Sequence, residues 1–249
     1  MSRNFELMQQ LGKEQALLET SARAESFVPE PITPAMGPKI GDVELDELLK
    51  VVQRAFLLPG KDAPRTVVFT GLESRNGCSW ICARTAEVLA SQVTGSVCLL
   101  DANLRHPGLH EQFGVKNHYG LADALRQTEP IRTFATPLSR PNLWLVSSGS
   151  SSETCYEYVG SDRMWHRVAE LRAEFDYVLV DSEAMNMSSD GTMLGAKADG
   201  VVVVLKANSS RRQPARQALQ DLRAAGVRVL GAVLNQRTFP IPEAIYNKL

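Results

Sequence analysis

The sequence predicts an α/β protein in which helices flank a doubly wound, mostly parallel sheet. Two observations carry this prediction. Apolar strand patterns alternate with helical patterns along most of the chain, and several strands are apolar throughout. Residues 201–205, four valines and a leucine, are the clearest case. A strand that is apolar on both faces must be covered on both sides, as in a parallel sheet between two layers of helices.

Each element of this architecture has its own signal in the sequence. Apolar, β-branched runs predict strands at residues 66–70, 96–100, 143–147, 177–181, 201–206 and 229–234. Helical periodicity predicts helices at residues 44–57, 79–91, 120–126, 162–174 and 212–225. The alternation matches the spacing of strand–helix–strand crossovers.

The first 40 residues differ from the rest of the chain. Apolar residues near helical spacing, from Phe5 to Leu18, predict a short amphipathic helix. Four prolines then fall between residues 21 and 40, which favours a linker over a packed element. We therefore expect a helix and linker over residues 1–40 and one α/β domain over residues 41–249.

Composition excludes several classes of function. The 27 basic and 28 acidic side chains are well mixed and give a net charge of −1, so no charge excess favours nucleic acid. No apolar run approaches the roughly 20 residues of a membrane-spanning helix, so we expect a cytoplasmic protein. The four cysteines lack the spacing of a disulfide framework or a zinc site, which predicts reduced thiols.

A loop in the position of a phosphate-binding P-loop follows the first predicted strand. Small residues at Gly71 and Gly77 suit close approach of backbone N–H groups to phosphate, and the Ser79 hydroxyl suits magnesium. Cys78, however, occupies the position of the lysine that bridges the terminal phosphates. Arg75 supplies that missing charge or fills the pocket; the sequence leaves both open.

Two further predicted strands end in aspartate. Asp101 and Asp181 fall at carboxyl strand ends, where ligands bind in doubly wound sheets. Both are candidate catalytic residues, and with Ser79 they are candidate magnesium ligands. The alternative is that each aspartate only caps the turn that follows it.

These segments together resemble the bacterial tyrosine kinases of polysaccharide export. Residues 99–107, LLDANLRHP, resemble the D-x-D-x-R Walker A′ motif of that family. The likeness covers about residues 44–235 and includes segments 113–114, 120–125, 145–149, 161–164, 198–200 and 231–235, together with Asp181 and Asp190.

The resemblance implies a P-loop NTPase-like fold of the deviant Walker A subclass, with ATP or ADP and Mg²⁺ as cofactors. It adds Trp80 and Asn235 to the nucleotide-binding candidates Gly71, Arg75, Gly77, Cys78 and Ser79. Family members are cytoplasmic autokinases that pair with a membrane polysaccharide co-polymerase and regulate capsule or exopolysaccharide export. The resemblance therefore implies no membrane span of the chain's own, and membrane association through a partner.

The departures from the family pattern fall where catalysis would occur. Cys78 replaces the P-loop lysine, Asn103 replaces the second aspartate of D-x-D-x-R, and Glu183 and Ala184 replace the usual prolines. The tail offers Tyr246 as its single tyrosine after residue 236 in place of a tyrosine cluster. The family's oligomer-forming helix keeps one acid and one base, Glu47 and Lys50, which leaves homo-oligomerisation open.

Two hypotheses follow. In the first, the chain is a degenerate pseudokinase that binds little or no nucleotide and serves as a regulator or scaffold, partnered by a co-polymerase or an active family kinase. In the second, it is a working tyrosine autokinase or ATPase whose unorthodox P-loop holds nucleotide through Arg75, Ser79, Asp101 and Asp181. Nucleotide binding discriminates between them.

Overall fold

A seven-stranded sheet lies at the centre of the residues that the computed structural model describes, which are 42–57, 63–150 and 158–236. The strands are β1 (Thr66–Gly71), β2 (Val97–Asp101), β3 (Thr136–Pro137), β4 (Leu143–Val146), β5 (Tyr177–Asp181), β6 (Gly200–Lys206) and β7 (Val229–Asn235). Their order across the sheet is β3-β4-β2-β5-β1-β6-β7. All neighbouring pairs are parallel except β3 with β4.

The helices connect the strands on both faces of the sheet. They are α1 (Asp42–Ala55), α2 (Cys78–Gln92), α3 (Leu109–Phe113), α4 (Leu121–Ala124), α5 (Asp162–Glu174), α6 (Asp190–Gly195) and α7 (Arg212–Ala224), with a short 3-10 helix at Ile131–Phe134.

Two separate apolar clusters hold the layers together, one on each face of the sheet. One contains Val52 of α1 and Leu89 of α2. The other contains Leu171 of α5 and Leu222 of α7. Because successive side chains of a strand point to opposite faces, the apolar strands contribute to both clusters. The parallel strands β1, β2, β4, β5 and β6 are almost wholly buried between these layers, as their continuous apolar sequence predicts, whereas β7 is half-buried to exposed.

The predicted fold class is confirmed, and the predicted strands and helices lie within two residues of those observed at each end. The structure adds β3, α3, α6 and the 3-10 helix, which are too short to leave a periodic signal. None of the described helices combines the length and apolar character that crossing a membrane requires. The predicted helix and linker of residues 1–40, and Tyr246, lie outside the described residues.

Candidate phosphate site at the carboxyl edge of the sheet

Three neighbouring strands bring the predicted site residues together at one edge of the sheet. β5 lies between β1 and β2, and the register places Asp181 of β5 directly beside Asp101 of β2. On the other side of β5, Phe69 of β1 pairs with Asp181, and the candidate P-loop leaves β1 two residues later. Parallel neighbouring strands lie about 4.8 Å apart, so the two aspartates form a pair beneath the loop.

The loop from Gly71 to Cys78 turns through two residues with positive φ. Arg75 has φ 60° and Gly77 has φ 83°. Gly77 needs to be glycine for two reasons. Its positive φ is strained for any residue with a side chain, and a Cβ there would lie 2.2 Å from Nδ2 of Asn235. Arg75 is exposed, so its guanidinium does not fill the interior of the loop.

Asn76 fills that interior instead. The residue is 2% exposed, and its Nδ2 donates to the Val204 carbonyl of β6 at 2.7 Å. Its Oδ1 accepts a hydrogen bond from the Cys78 backbone N–H at 3.0 Å. A P-loop binds phosphate through backbone N–H groups at this turn, so the Asn76 carboxamide already satisfies a donor that a phosphate oxygen would use.

Asn235 completes the support of the loop from the end of β7. Its Nδ2 donates to the Asn76 carbonyl at 2.9 Å. The loop is thus held from β6 by the Asn76 side chain and from β7 by Asn235. Residue type and spacing did not identify Asn76 as a site residue. The direction in which its side chain points depends on the fold of the loop.

Cys78 begins α2 and is buried against the carboxylate pair. Burial raises the pKa of the Cys78 thiol well above its usual range, and the nearby Asp181 carboxyl raises it further. The side chain at the lysine position is therefore a neutral thiol. Ser79, next in α2, is half-buried, whereas Trp80 packs against the apolar cluster beneath α1 and α2.

Asp101 is fully buried but well supplied with hydrogen-bond donors. Its Oδ2 accepts from the N–H groups of Gly108 and Leu109 at 3.2 and 3.1 Å, and its Oδ1 accepts from Asn103 at 3.3 Å. Burial raises the pKa of Asp101 to about 7, although these three donors favour its ionised form. This carboxyl organises the turn that follows β2, as the capping alternative predicts.

Asp181 is buried to the same extent but lacks such support. Neither carboxylate oxygen has a hydrogen-bond partner among the described residues. Burial raises the pKa of Asp181 well above its usual range, and the charges of Asp101 and Glu183 act in the same direction. The Ser79 hydroxyl and the Cys78 thiol lie near enough to oppose this shift, without reaching hydrogen-bonding geometry.

The turn after β2 is joined to the segment after β5 by two polar contacts. Nη1 of Arg105 donates to Asp190 at 3.0 Å, and Nδ1 of His106 lies 3.0 Å from Oε2 of Glu183. Asn103, at the position of the family's second aspartate, accepts the His106 N–H through its Oδ1. Asn103 therefore shapes the turn in which the Walker A′ arginine sits.

These residues offer more to a divalent cation than to a triphosphate, but the described part of the chain contains no group of three His, Cys, Asp or Glu side chains placed to hold a metal ion. Two unpartnered oxygens of Asp181 and the nearby Ser79 hydroxyl are the ligand types that Mg²⁺ takes. The phosphate side of the site has a thiol in place of a lysine, and the Cys78 N–H is already bonded. The three buried carboxyl groups of this edge, Asp101, Asp181 and Glu183, offer the phosphates no positive charge in place of that lysine.

No family model matches the chain. Individual proteins do match it. YwqD of Bacillus subtilis, a tyrosine-protein kinase, is 28% identical over 171 residues, which are 69% of this chain and 72% of YwqD. EpsB of Ralstonia solanacearum, a putative tyrosine-protein kinase, is 30% identical over 192 residues, 76% of this chain. The chain is a relative of the bacterial tyrosine kinases. It spans only 25% of the length of EpsB and 23% of that of Wzc of Salmonella typhi, another tyrosine-protein kinase.

Solved structures show the same fold. The kinase domain of the Escherichia coli tyrosine kinase Etk superposes with a TM-score of 0.69 at 21% identity, covering 80% of this chain and 78% of that one. The BceF tyrosine kinase domain gives 0.67 at 22% identity and covers 90% and 88% of the two chains. A ParA family ATPase from Chlorobium tepidum gives 0.57 at 20% identity over 70% and 75%. The mostly parallel sheet with flanking helices is thus that of P-loop ATPases.

Proposed function

We propose that this chain is a pseudokinase, a relative of tyrosine kinases that regulates or scaffolds exopolysaccharide or capsule export without efficient phosphoryl transfer. One observation carries the proposal. The lysine position is occupied by Cys78, a buried neutral thiol beside Asp181, and its backbone N–H is bonded to Asn76. Phosphoryl transfer depends almost entirely on positioning and on neutralising charge, so this loss removes the main cation of the site.

The proposed setting is the cytoplasm, with the membrane reached through a polysaccharide co-polymerase or through an active family kinase. Support for this setting comes from the resemblance and from relatives that are named tyrosine-protein kinases. A scaffold needs the fold and its surfaces but not the phosphate cradle. The two buried clusters remain intact around a loop whose changes are confined to a few residues.

Calorimetric titration tests the proposal. The full chain is titrated with Mg-ATP and with Mg-ADP, and we expect no binding in the micromolar range for either nucleotide. A parallel titration with Mg²⁺ alone separates cation binding at Asp181 from phosphate binding. Micromolar affinity for Mg-ATP that exceeds the affinity for Mg²⁺ alone would overturn the proposal.

A second candidate function is an active autokinase or ATPase with an unorthodox P-loop. The observation that favours it is Asp181, whose two buried oxygens remain available for a metal ion beside Ser79. In that case Ser79 and Asp181 would hold Mg²⁺, Asp101 would act as the base, and Arg75 would supply positive charge. Mass spectrometry after incubation with Mg-ATP would then find phosphate on Tyr246.

The variant Asp101→Ala would abolish this modification, while Asp176→Ala, which changes an exposed aspartate of the same protein, would leave it intact. An unmodified Tyr246 in the wild-type chain, under conditions in which an active family kinase labels its own tail, would remove the second candidate.

A further inference from the structure

β7 is the outermost strand on one side of the described sheet. Among the described residues it pairs with β6 alone, and the seven residues Val229–Asn235 carry neither proline nor a charged side chain. Leu234 is 54% exposed and Ala232 is also exposed. A long apolar edge strand of this kind is a template for pairing with another segment.

The exposed side chains of β7 lie on one face of the sheet. Ala232 pairs with Val203 and Leu234 pairs with Leu205, so each has the orientation of its partner. Val203 and Leu205 belong to, or pack against, the cluster beneath α5 and α7. Ala232 and Leu234 therefore extend that apolar face beyond the area that α7 covers.

The backbone N–H and C=O groups of successive β7 residues point alternately toward β6 and away from it. The Asn235 carbonyl accepts the Ala207 N–H at 2.9 Å, so Asn235 faces the β6 side. By the two-residue period of a strand, Val233 also faces β6, whereas the N–H and C=O groups of Ala232 and Leu234 point outward. The unpaired backbone groups and the exposed apolar side chains thus belong to the same two residues.

We propose that a segment of this chain, residues 239–243, docks along β7 as an antiparallel strand. The sequence continues from β7 through Gln236 into RTFPIPEAIYNKL. Gln236 has φ 57°, so the backbone already turns at the end of β7. A loop over residues 235–238 places Phe239 opposite Leu234 and Ile241 opposite Ala232, and four-residue hairpin loops are common.

The two prolines of this segment are compatible with that register. A register shifted by one residue would turn both prolines toward β7, where they have no N–H to donate. Pro240 and Pro242 are two residues apart, so both lack an N–H on the same side of the strand. With Phe239 and Ile241 bonded to β7, both prolines turn their nitrogen toward solvent. Prolines on an outer edge block further pairing, which is a common protection of sheet edges.

The same register covers the exposed side chains. Residues directly opposite each other in an antiparallel pair lie on the same face. Phe239 would therefore pack on Leu234 and Ile241 on Ala232, on the face that α7 leaves open. This one register therefore pairs the outward backbone groups of β7 and also covers its exposed side chains.

A second copy of the chain fits β7 less well. Antiparallel pairing of two β7 strands needs a twofold axis perpendicular to the sheet, which keeps equivalent helices on the same face. The two α7 helices would then approach each other, although each exposes Arg212, Arg216 and Arg223. Like charges at such an interface oppose association.

Docking of this segment has a consequence for Tyr246. An antiparallel partner of β7 runs from the carboxyl edge of the sheet toward the amino edge. Tyr246 follows three residues after Glu243 and would be carried away from the loop at Gly71 to Cys78. This pairing would keep the tyrosine from the site of its own chain, whether or not that site binds nucleotide.

Amide hydrogen exchange of the full chain, followed by NMR, tests the proposal. We expect the amides of Ala232 and Leu234 to exchange at least tenfold more slowly than in the variant Ile241→Pro, which cannot donate its backbone bond to β7. Pro242→Ala, whose nitrogen faces solvent in the proposed register, is the matched control and should retain the protection. The Val233 amide, which faces β6, reports that each variant is folded.

Two results would overturn the proposal. Equal, rapid exchange of Ala232 and Leu234 in the wild-type chain and in Ile241→Pro would show that the edge is open. Protection that rises with protein concentration and survives Ile241→Pro would show that a second copy occupies the edge instead.

Discussion

The raised pKa of Asp101 makes a quantitative prediction about stability and pH. Its carboxyl has a folded pKa of about 7, against about 3.9 for an aspartate in an unfolded chain. The folded protein therefore holds this proton more tightly than the unfolded chain does. Stability that depends on this group is fully present below pH 4 and is lost as the pH rises toward 7.

Asp101→Asn removes this titration. One pKa unit corresponds to about 1.4 kcal/mol, so between pH 5 and pH 8 the wild-type chain loses about 3 kcal/mol that the variant does not lose. The amide oxygen can keep the bonds from Gly108 and Leu109, and only the 3.3 Å bond from Asn103 is at risk. Any packing cost of asparagine is nearly the same at each pH and cancels in the comparison.

Urea unfolding at pH 5 and pH 8 measures the effect. Relative to the wild-type chain, Asp101→Asn should gain about 3 kcal/mol on going from pH 5 to pH 8. Asp176→Asn is the matched control: hydrogen bonds from Ser96 lower the pKa of this exposed carboxyl, so it stays ionised throughout this range and its difference from the wild-type chain should not change between pH 5 and pH 8. A difference between wild-type and Asp101→Asn that does not change with pH would refute the reasoning, since Asp101 would then titrate like an exposed carboxylate.

Three further predictions concern the loop. Asn76→Ala should lower the free energy of unfolding by about 1–3 kcal/mol because it leaves the buried Cys78 N–H without its acceptor and removes one of the two hydrogen bonds to the Val204 carbonyl, which keeps the bond from Leu72. Ser74→Ala, at an exposed site, should change little in the same urea titration. Gly77→Ala should lower the melting temperature more than Gly226→Ala: both have positive φ, but a Cβ meets Asn235 Nδ2 at 2.2 Å only at Gly77 and meets no described atom within 4 Å at Gly226. Cys78→Lys should raise Mg-ATP affinity at least tenfold in calorimetry; no gain would mean that the loop filled by Asn76 stays closed to phosphate.

Local signals in the sequence were enough to predict the elements and the edge at which the site lies. The apolar strands and the helices between them leave strong periodic patterns, and aspartates at two strand ends mark the carboxyl edge of a parallel sheet. The replacement of the lysine by Cys78 is also visible without coordinates. Short elements such as β3, with two residues, leave no such pattern.

The state of the site was decided by contacts between residues far apart in the chain. β5 inserts between β1 and β2, and only this strand order sets Asp181 beside Asp101 and beneath Cys78. Asn76 reaches Val204, 128 residues away, and this bond turns its carboxamide into the loop and onto the Cys78 N–H. Residue types and spacing fix which groups are present. Burial and hydrogen-bond partners, which fix the pKa of those groups and whether a phosphate can reach them, arise only when distant segments pack together.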